Sequence, residues 1–219
     1  DEAIRTYLQS AGATNENPAD FTAFIQNADL KDWDNGWTQA NVMVSGDCRA
    51  WTNFGTACYN NWSDNFTSMD LYQDLEGLLP GWYQMSCQSL CGNGEINDQH
   101  AYATSGGVTA VSPVKVIGDW SANGWEEQTT EKIYVGEDGT LRIGYASTSG
   151  GGTKGWFCVT NFKLSYFGEE ASAEETSQVR QILSERISDA GAALAGAQLM
   201  ADKTRLMAAT DEAQAVADD

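Results

Sequence analysis

Tryptophan is the residue type whose abundance and placement most suggest chemistry in this sequence. The 219-residue chain contains eight Trp, eight Tyr and seven Phe. An indole ring has an apolar face and a polar N–H edge, so an exposed Trp can stack on the C–H-rich face of a pyranose ring while nearby polar groups bind the hydroxyls. The alternative is that the rings only fill the ends of a folded core.

Two polar segments place Trp next to Asn and Asp. The loop-like run Gly118-Asp-Trp-Ser-Ala-Asn-Gly-Trp contains Trp120 and Trp125. An Asn-rich region contains Trp51 and Trp62. For these Trp residues the sequence leaves surface and core roles open. The candidate ligand-binding residues of these two segments are Trp120, Trp125, Trp51, Trp62, Tyr59 and Asn60.

The run Trp82–Cys91 has the alternation of a half-buried strand. One predicted face, toward the core, carries Tyr83, Met85, Cys87 and Ser89, and the other carries Gln84, Ser86, Gln88 and Leu90. Such an outer face can form a concave platform for a glycan chain, which makes Gln88 a further candidate ligand-binding residue. A covering by helices explains the same pattern equally well.

The sequence predicts binding and not catalysis. It has no Gly-x-Ser-x-Gly nucleophile motif and a single histidine, His100, which leaves little for general-base chemistry. Glycosidases need two carboxylates at a defined separation, but among 31 acidic residues some pair always exists, so their presence decides nothing. We therefore predict that the protein is not an enzyme and needs no cofactor for activity.

The charge balance narrows the class of partner. Twelve Lys and Arg against 31 Asp and Glu give a formal net charge of −19. Such a surface repels nucleic-acid phosphates and anionic membranes, whereas it is compatible with neutral glycans and divalent cations. No apolar run approaches the ~20 residues of a membrane-spanning helix.

The five cysteines do not form a zinc motif, because no Cys-x-x-Cys pair or Cys/His cluster occurs. Most of them are expected to be small buried hydrophobes. The pair most expected to depart from this role as buried hydrophobes is Cys48 and Cys58. The cysteines are Cys48, Cys58, Cys87, Cys91 and Cys158.

The chain divides into three zones of different texture. Residues 1–14 have helical spacing, residues 15–168 are β-rich with frequent turn signals, and residues 169–219 are rich in Ala, Glu, Gln and Leu. The middle zone predicts a β-sandwich with helices on both sides of it in sequence. Its predicted strands are Thr38–Val44, Ala57–Asn60, Ser68–Leu75, Gly81–Leu90, Val114–Ile117, Glu131–Val135, Thr140–Ala146 and Gly155–Tyr166, with a hairpin turn at Gly136–Gly139.

The last zone predicts an amphipathic helix. Ser172-Ala-Glu-Glu175 is a capping box, and an apolar stripe follows it. Because a polar helix with one apolar stripe must dock on something, we expect it to dock on the sandwich, on the N-terminal helix or on another module, such as a protein partner. The stripe consists of Val179, Leu183, Ile187, Ala190 and Leu194.

An ordered set of segments resembles a known family. These are Asn27-Ala-Asp-Leu with Gly36-Trp37, the run Ala57–Trp62, the run Met69–Leu90 with its Leu-Pro-Gly turn, and the closing Gly139–Gly144 and Asn161–Gly168. Together they resemble galactose-binding-like domains in surface proteins of Gram-negative gut anaerobes. Trp37, Trp82 and Trp156 lie in or beside these segments and are expected in the core.

The resemblance implies a mainly β, jelly-roll or galactose-binding-like sandwich with flanking N- and C-terminal α-helices. It further implies a non-catalytic glycan-binding module of a secreted, cell-surface or periplasmic protein of a Gram-negative bacterium. The alternative is a structural or assembly module whose helices dock a protein partner.

The same resemblance implies a structural Ca²⁺ ion between the first and last strands. Its oxygen ligands would come from Asn27, Asp29, Asp32 and Asn161. Thr160 stands where the family usually has an acidic residue, and this departure weakens the implied site.

Overall fold

A computed structural model gives the fold of the chain. It describes residues 12–40, 42–91, 98–114, 121–147 and 153–170, and in the C-terminal part residues 181, 183–190, 192, 207 and 208. Within these ranges the side chains of residues 42–50, 63–67, 153 and 154 are not described. Most of the predicted N-terminal helix, the predicted strand Val114–Ile117 beyond its first residue, and Trp120 lie outside the described residues.

The described part of the chain is built from β-strands. A short 3₁₀ helix, Thr22–Phe24, follows the first of them. The strands are β1 (Ala19–Asp20), β2 (Thr38–Gln39), β3 (Val42–Asn53), β4 (Thr56–Leu75), β5 (Gly81–Cys91), β6 (His100–Ser105), β7 (Val108–Val111), β8 (Glu126–Thr129), β9 (Ile133–Val135), β10 (Leu141–Ser147) and β11 (Thr153–Tyr166).

These strands form two antiparallel sheets, which confirms the predicted β-sandwich. Sheet I has the order β3-β4-β11-β5, with β8 and β9 along the far side of β5 and β1 on β11. Sheet II has the order β7-β6-β10-β4, with β2 also on β4. The 20-residue strand β4 belongs to both sheets, because its first half pairs with β3 and β11 and its last residues pair with β10 and β2.

The core lies between the sheets and follows the two-residue period of the strands. In β5 the inward positions are buried and Gln84, Ser86 and Gln88 are half-buried, which confirms the alternation predicted for this strand. Trp37 packs on Phe162 with ring centroids 4.3 Å apart. The other large buried side chains of the core include Phe21, Leu30, Tyr59, Met69, Leu71, Tyr83, Met85, Tyr145 and Phe157.

Several predicted boundaries were wrong for physical reasons. The predicted strands Ala57–Asn60 and Ser68–Leu75 are parts of the single strand β4, whose backbone stays paired through the polar residues between them. Register shifts between Val42 and Asp47 on the partner β3 mark irregular pairing, where strands bend and twist more strongly. Polar residues within one strand resemble a loop in the sequence, although the backbone pairing of β4 continues through them.

The turn at Gly136–Gly139 forms but does not make the predicted hairpin. The Gly139 N–H donates to the Gly136 carbonyl at 3.0 Å. The turn joins β9, which pairs with β5 in sheet I, to β10, which pairs with β4 and β6 in sheet II. The strands β6 and β7 were not predicted, because inward alanines such as Ala101, Ala103 and Ala110 give a weak strand pattern. The strand β8 was not predicted either, because its sequence Glu-Glu-Gln-Thr is polar and short.

The chain divides into two units, Asp1–Glu170 and Ala171–Asp219. In the second unit residues 183–190 are helical. Leu183, Ile187 and Ala190 are half-buried and the other residues of this stretch are exposed, as the predicted stripe requires. Docking of this stripe on a protein partner stays a prediction. Within the described residues no helix has the length and apolar character needed to span a membrane.

Gln73, a buried residue of β4, fixes the loop that precedes β2. Its Nε2 donates to the carbonyls of Gln26 and Gly36, each at 3.0 Å. Its Oε1 accepts the backbone N–H of Gln26 at 2.7 Å. One side chain therefore holds both ends of the segment from Gln26 to Gly36 against the sandwich.

We expect Gln73→Ala to lower the free energy of unfolding by about 2 to 4 kcal/mol, because it removes three partly buried hydrogen bonds and the packing of a buried side chain. Urea unfolding followed by tryptophan fluorescence measures this loss. Gln84→Ala is the matched control, since Gln84 makes a single bond from its side chain to the Thr130 carbonyl. An equal or smaller loss for Gln73→Ala would contradict this role.

Candidate functional site

The outward side of sheet I carries the candidate site. The pairing of β11 with β4 places Trp156 opposite Trp62 and Cys158 opposite Asn60. Cys158 also lies opposite Leu90 of β5, and Trp51 of β3 lies opposite Cys58 of β4. Because directly opposed residues project to the same side of a sheet, these side chains share one face.

A small apolar cluster forms the floor of this face and is separate from the main core. Cys58, Leu90 and Cys158 are fully buried in it. Trp125, just before β8, and Trp156 pack on the cluster from outside. The floor is therefore apolar and covered, which holds the rings above it in place.

We call the outward surface formed by Trp51, Trp62, Trp125 and Trp156 the tryptophan face. Trp51 is 45% exposed and Trp62 is 38% exposed, while Trp125 and Trp156 are half-buried. Three of the rings belong to β3, β4 and β11, and the fourth, Trp125, immediately precedes β8. The strand β5 lies between β11 and β8. Four inter-strand steps correspond to about 19 Å. The face is thus a band of indole rings across the sheet.

Asn60 lies under the rings and positions one of them. Its Oδ1 accepts the Trp156 Nε1–H at 2.8 Å. The same oxygen is 3.4 Å from the Asn53 Nδ2 and 3.4 Å from the Cys158 Sγ. A side chain that accepts from several donors is held in one orientation, so Asn60 orients the Trp156 ring and does not itself face an open ligand surface.

Gln88 and Asn161 add an amide pair to the outward side. Gln88 lies opposite Thr160, and its Oε1 accepts the Asn161 Nδ2–H at 2.6 Å. Asn161 sits in a bulge, where the register of β11 against β5 shifts between Thr160 and Lys163, and its φ is +52°. The bulge turns the Asn161 side chain toward Gln88. The prediction that Gln88 faces away from the core is confirmed.

Two of the sequence-based expectations were wrong. Tyr59 is fully buried in the core and its hydroxyl donates to Gln39 Oε1 at 3.0 Å, because it projects to the opposite side of β4 from Asn60. Trp156 was expected in the core and instead lies on the tryptophan face. The core position expected for Trp37 and Trp82 is confirmed, since both are buried.

Sequence reasoning also missed Asn53 as a polar group of this face. Asn53 lies at the β3–β4 hairpin, in which Phe54 and Gly55 both have positive φ. Its Nδ2 is 2.8 Å from the Cys158 Sγ. The signal that could have found it is the tight turn itself, since a two-residue hairpin fixes which flanking residues share a side.

The cysteines of the face are thiols. Cys58, which had been paired with Cys48, is a free and buried thiol whose neighbour is Cys158. The hydrogen bond with the Cys158 thiol lowers the pKa of Cys58, and burial followed by the same hydrogen bond raises the pKa of Cys158. Cys87 and Cys91 are also buried thiols, as expected of small hydrophobes.

The residues named for calcium form hydrogen bonds and an ion pair with their neighbours. The Asn27 Oδ1 accepts the Asp32 N–H at 3.0 Å, and its Nδ2 donates to the carbonyls of Trp33 and Asn35. The Asp29 carboxylate holds Lys31 at 2.6 Å, which lowers the pKa of Asp29.

The other two residues named for calcium, Asp32 and Asn161, also have hydrogen-bond partners. The Asp32 Oδ2 accepts from the Asn35 Nδ2 at 2.7 Å, and Asn161 is bound to Gln88. Within the described ranges no group of three or more His, Cys, Asp or Glu side chains could hold a metal ion. Calcium binding stays a prediction from the resemblance.

No protein-family model and no curated protein matches this chain. Among solved structures it is similar to a family 61 carbohydrate-binding module in complex with β-1,4-galactotriose, at 19% identity over 64% of this chain and 96% of that one, with a TM-score of 0.43. The likeness is one of fold.

Two further solved structures have the same level of similarity. A family 22 xylan-binding domain from Paenibacillus barcinonensis is 12% identical over 62% of this chain and 88% of that one, with a TM-score of 0.42. The enzymatically active domain of a tailspike protein of bacteriophage CBA120 is 9% identical over 64% of this chain and 21% of that one, with a TM-score of 0.47. Neighbours at these scores do not decide what this chain binds.

The contact between Asn60 and Trp156 is testable by a double-mutant cycle. We expect Asn60→Ala and Trp156→Phe each to destabilise the protein, and the double variant to lose about 1 kcal/mol less than the sum, because the two changes remove the same hydrogen bond. Urea unfolding of the four proteins gives the coupling energy. Strictly additive losses would show that Asn60 does not position the Trp156 ring.

Proposed function

We propose that this chain is a non-catalytic carbohydrate-binding module and that the tryptophan face is its ligand-binding surface. The observation that carries the proposal is the grouping of Trp51, Trp62, Trp125 and Trp156 on one outward side of sheet I. Two of these rings are substantially exposed on a sheet surface, where they contribute little to the core.

The chemistry of the face suits a sugar ring. Flat indole surfaces bury the C–H faces of a pyranose, and amides bind its hydroxyls as both donors and acceptors. Gln88 and Asn161 supply such amides beside the rings. A face that combines apolar area with a few placed polar groups is typical of ligand sites.

The length of the band favours an extended ligand. Rings spread over about 19 Å can contact several sugar units at once, whereas a single sugar would cover only one or two of them. We therefore propose an oligosaccharide or polysaccharide chain that runs across the strands. The net charge of −19 favours neutral glycans over anionic polymers.

The amide groups beside the rings support a role in binding. The amides of Gln88 and Asn161 form hydrogen bonds but do not exchange protons at neutral pH, so they suit recognition and not acid–base catalysis. The carboxylate of Glu127, the residue opposite Gln88 on β8, forms an ion pair with the Lys163 ammonium at 3.8 Å. Secretion or display on a Gram-negative surface is part of this proposal and rests on the sequence resemblance.

Substitution of the exposed rings tests the proposal. We expect Trp62→Ala and Trp51→Ala each to weaken polysaccharide binding by roughly tenfold or more, because exposed aromatic anchors carry much of the affinity of such a site. Titration calorimetry against soluble xylans, glucans and galactans gives the dissociation constants. Unchanged melting temperatures would show that the loss is not one of folding.

Tyr134→Ala is the matched control for these variants. Tyr134 is also an exposed aromatic residue on sheet I, but it packs on Trp82 at the opposite end of β5 from Leu90. Eight residues of extended strand separate Trp82 from Leu90, about 27 Å. Equal losses for Tyr134→Ala and Trp62→Ala would contradict the assignment of this face. A folded wild-type protein that binds no glycan would favour the assembly-module alternative.

A further inference from the structure

Trp33 is the most exposed of the large hydrophobic residues that the structure describes, at 64%. It lies in the loop of residues 27–36, outside the tryptophan face. Its φ is +55°, in the left-handed region that bulky residues rarely adopt. Neither core packing nor local backbone preference explains a Trp at this position.

The loop that carries Trp33 is firmly built. Asn27 closes it from inside, since its Nδ2 donates to the Trp33 carbonyl at 3.0 Å and to the Asn35 carbonyl at 3.2 Å, and its Oδ1 accepts the Asp32 N–H. Gln73 holds the two ends of the loop. A strained backbone held this way persists only because its surroundings fix it, and such positions concentrate at functional sites.

The loop lies beside the hairpin end of the tryptophan face. The pairing of β4 with β11 ends at Tyr59 and Val159. Immediately beyond it the loop becomes the neighbour of β11, because the Phe162 N–H donates to the Ala28 carbonyl at 2.9 Å and the Thr160 hydroxyl donates to the Asp29 carbonyl at 3.1 Å.

A second contact places the Trp33 end of the loop next to β4. The Gln39 Nε2 donates to the Asp34 carboxylate at 2.6 Å, and the Gln39 Oε1 accepts the Tyr59 hydroxyl. Tyr59 is the last residue of β4 that pairs with β11, and its side chain points inward. The contact therefore places Asp34, the neighbour of Trp33, near the end of the sandwich where the pairing of β4 with β11 stops.

The charge around Trp33 limits what it can bind. Asp32 and Asp34 flank it and are exposed, and the ammonium of Lys31 is paired with Asp29. This neighbourhood disfavours phosphates and anionic surfaces, while hydroxyl groups can donate to free carboxylate oxygens. A neutral, hydroxyl-rich ligand fits both the ring and its surroundings.

We propose that Trp33 is a separate aromatic contact for the same oligosaccharide, which stacks on a sugar unit beyond the point where the pairing of β4 with β11 ends. The inference rests on the proposed function and deepens it, because it predicts that the site selects for chain length. A rigid loop that displays the ring in advance reduces the entropy lost on binding. Short ligands that occupy only the face do not reach this contact.

The test compares long and short ligands on the full chain. We expect Trp33→Asn to weaken binding of a hexasaccharide by roughly fivefold or more and to leave the trisaccharide constant within about twofold, since stacking of one ring is lost only for the longer chain. The probes are xylo-, cello- and β-1,4-galacto-oligosaccharides, measured by titration calorimetry. Asn tolerates a left-handed φ, so the melting temperature should not fall.

Lys31→Ala is the control in the same loop, because Lys31 is exposed and carries no ring. It should bind both lengths like the wild type. Wild-type affinity of Trp33→Asn for the hexasaccharide, or equal losses for both lengths, would overturn this inference and leave the proposed function standing. A wild-type protein that binds none of the probes would overturn both.

Discussion

The antiparallel register of β4 against β11 is the constraint on which both the core and the candidate site depend. Opposed pairs place Trp62 beside Trp156 and Asn60 beside Cys158 on the outward side. The intervening pair, Asn61 and Phe157, faces inward. A slip of one residue would turn the buried set to solvent and the rings into the core, so burial of the inner face fixes the outer face as well.

The same strands explain why the outward face is ordered. The space beneath the indoles is filled by the compact side chains of Cys58, Cys158 and Leu90. The Asn60 Oδ1 accepts hydrogen bonds from the Trp156 and Asn53 side chains. Where β4 leaves β11, the bulge at Asn161 turns an amide outward and the loop of residues 27–36 takes the vacated position along the strand. Because the pairing of β4 with β11 ends there, the loop of residues 27–36 can bind the edge of β11 beyond it.

Sequence alone predicted what depends on local periodicity. The alternation of β5 predicted the outward position of Gln88, whereas the buried positions of Trp37 and Trp82 were expected from the family resemblance. It did not predict that Tyr59 points inward and Trp156 outward, since these depend on the register of strands almost 100 residues apart in the chain. The family resemblance named Asn27, Asp29 and Asp32 for a cation, which stays a prediction, and the structure adds that their polar atoms close and brace the loop. Residue types alone do not show which hydrogen bonds a loop uses internally.

Residue-resolved oxidation by N-bromosuccinimide, with and without a saturating polysaccharide, tests the central claim most directly. Mass spectrometry reports the modification of each Trp separately. We predict that Trp51 and Trp62 oxidise in the free protein, because they are exposed, and are protected in the complex, while the buried Trp37 and Trp82 react slowly in both. Oxidation of Trp51 and Trp62 at the same rate in the free protein and in a demonstrated complex would contradict the assignment of the tryptophan face as the binding surface.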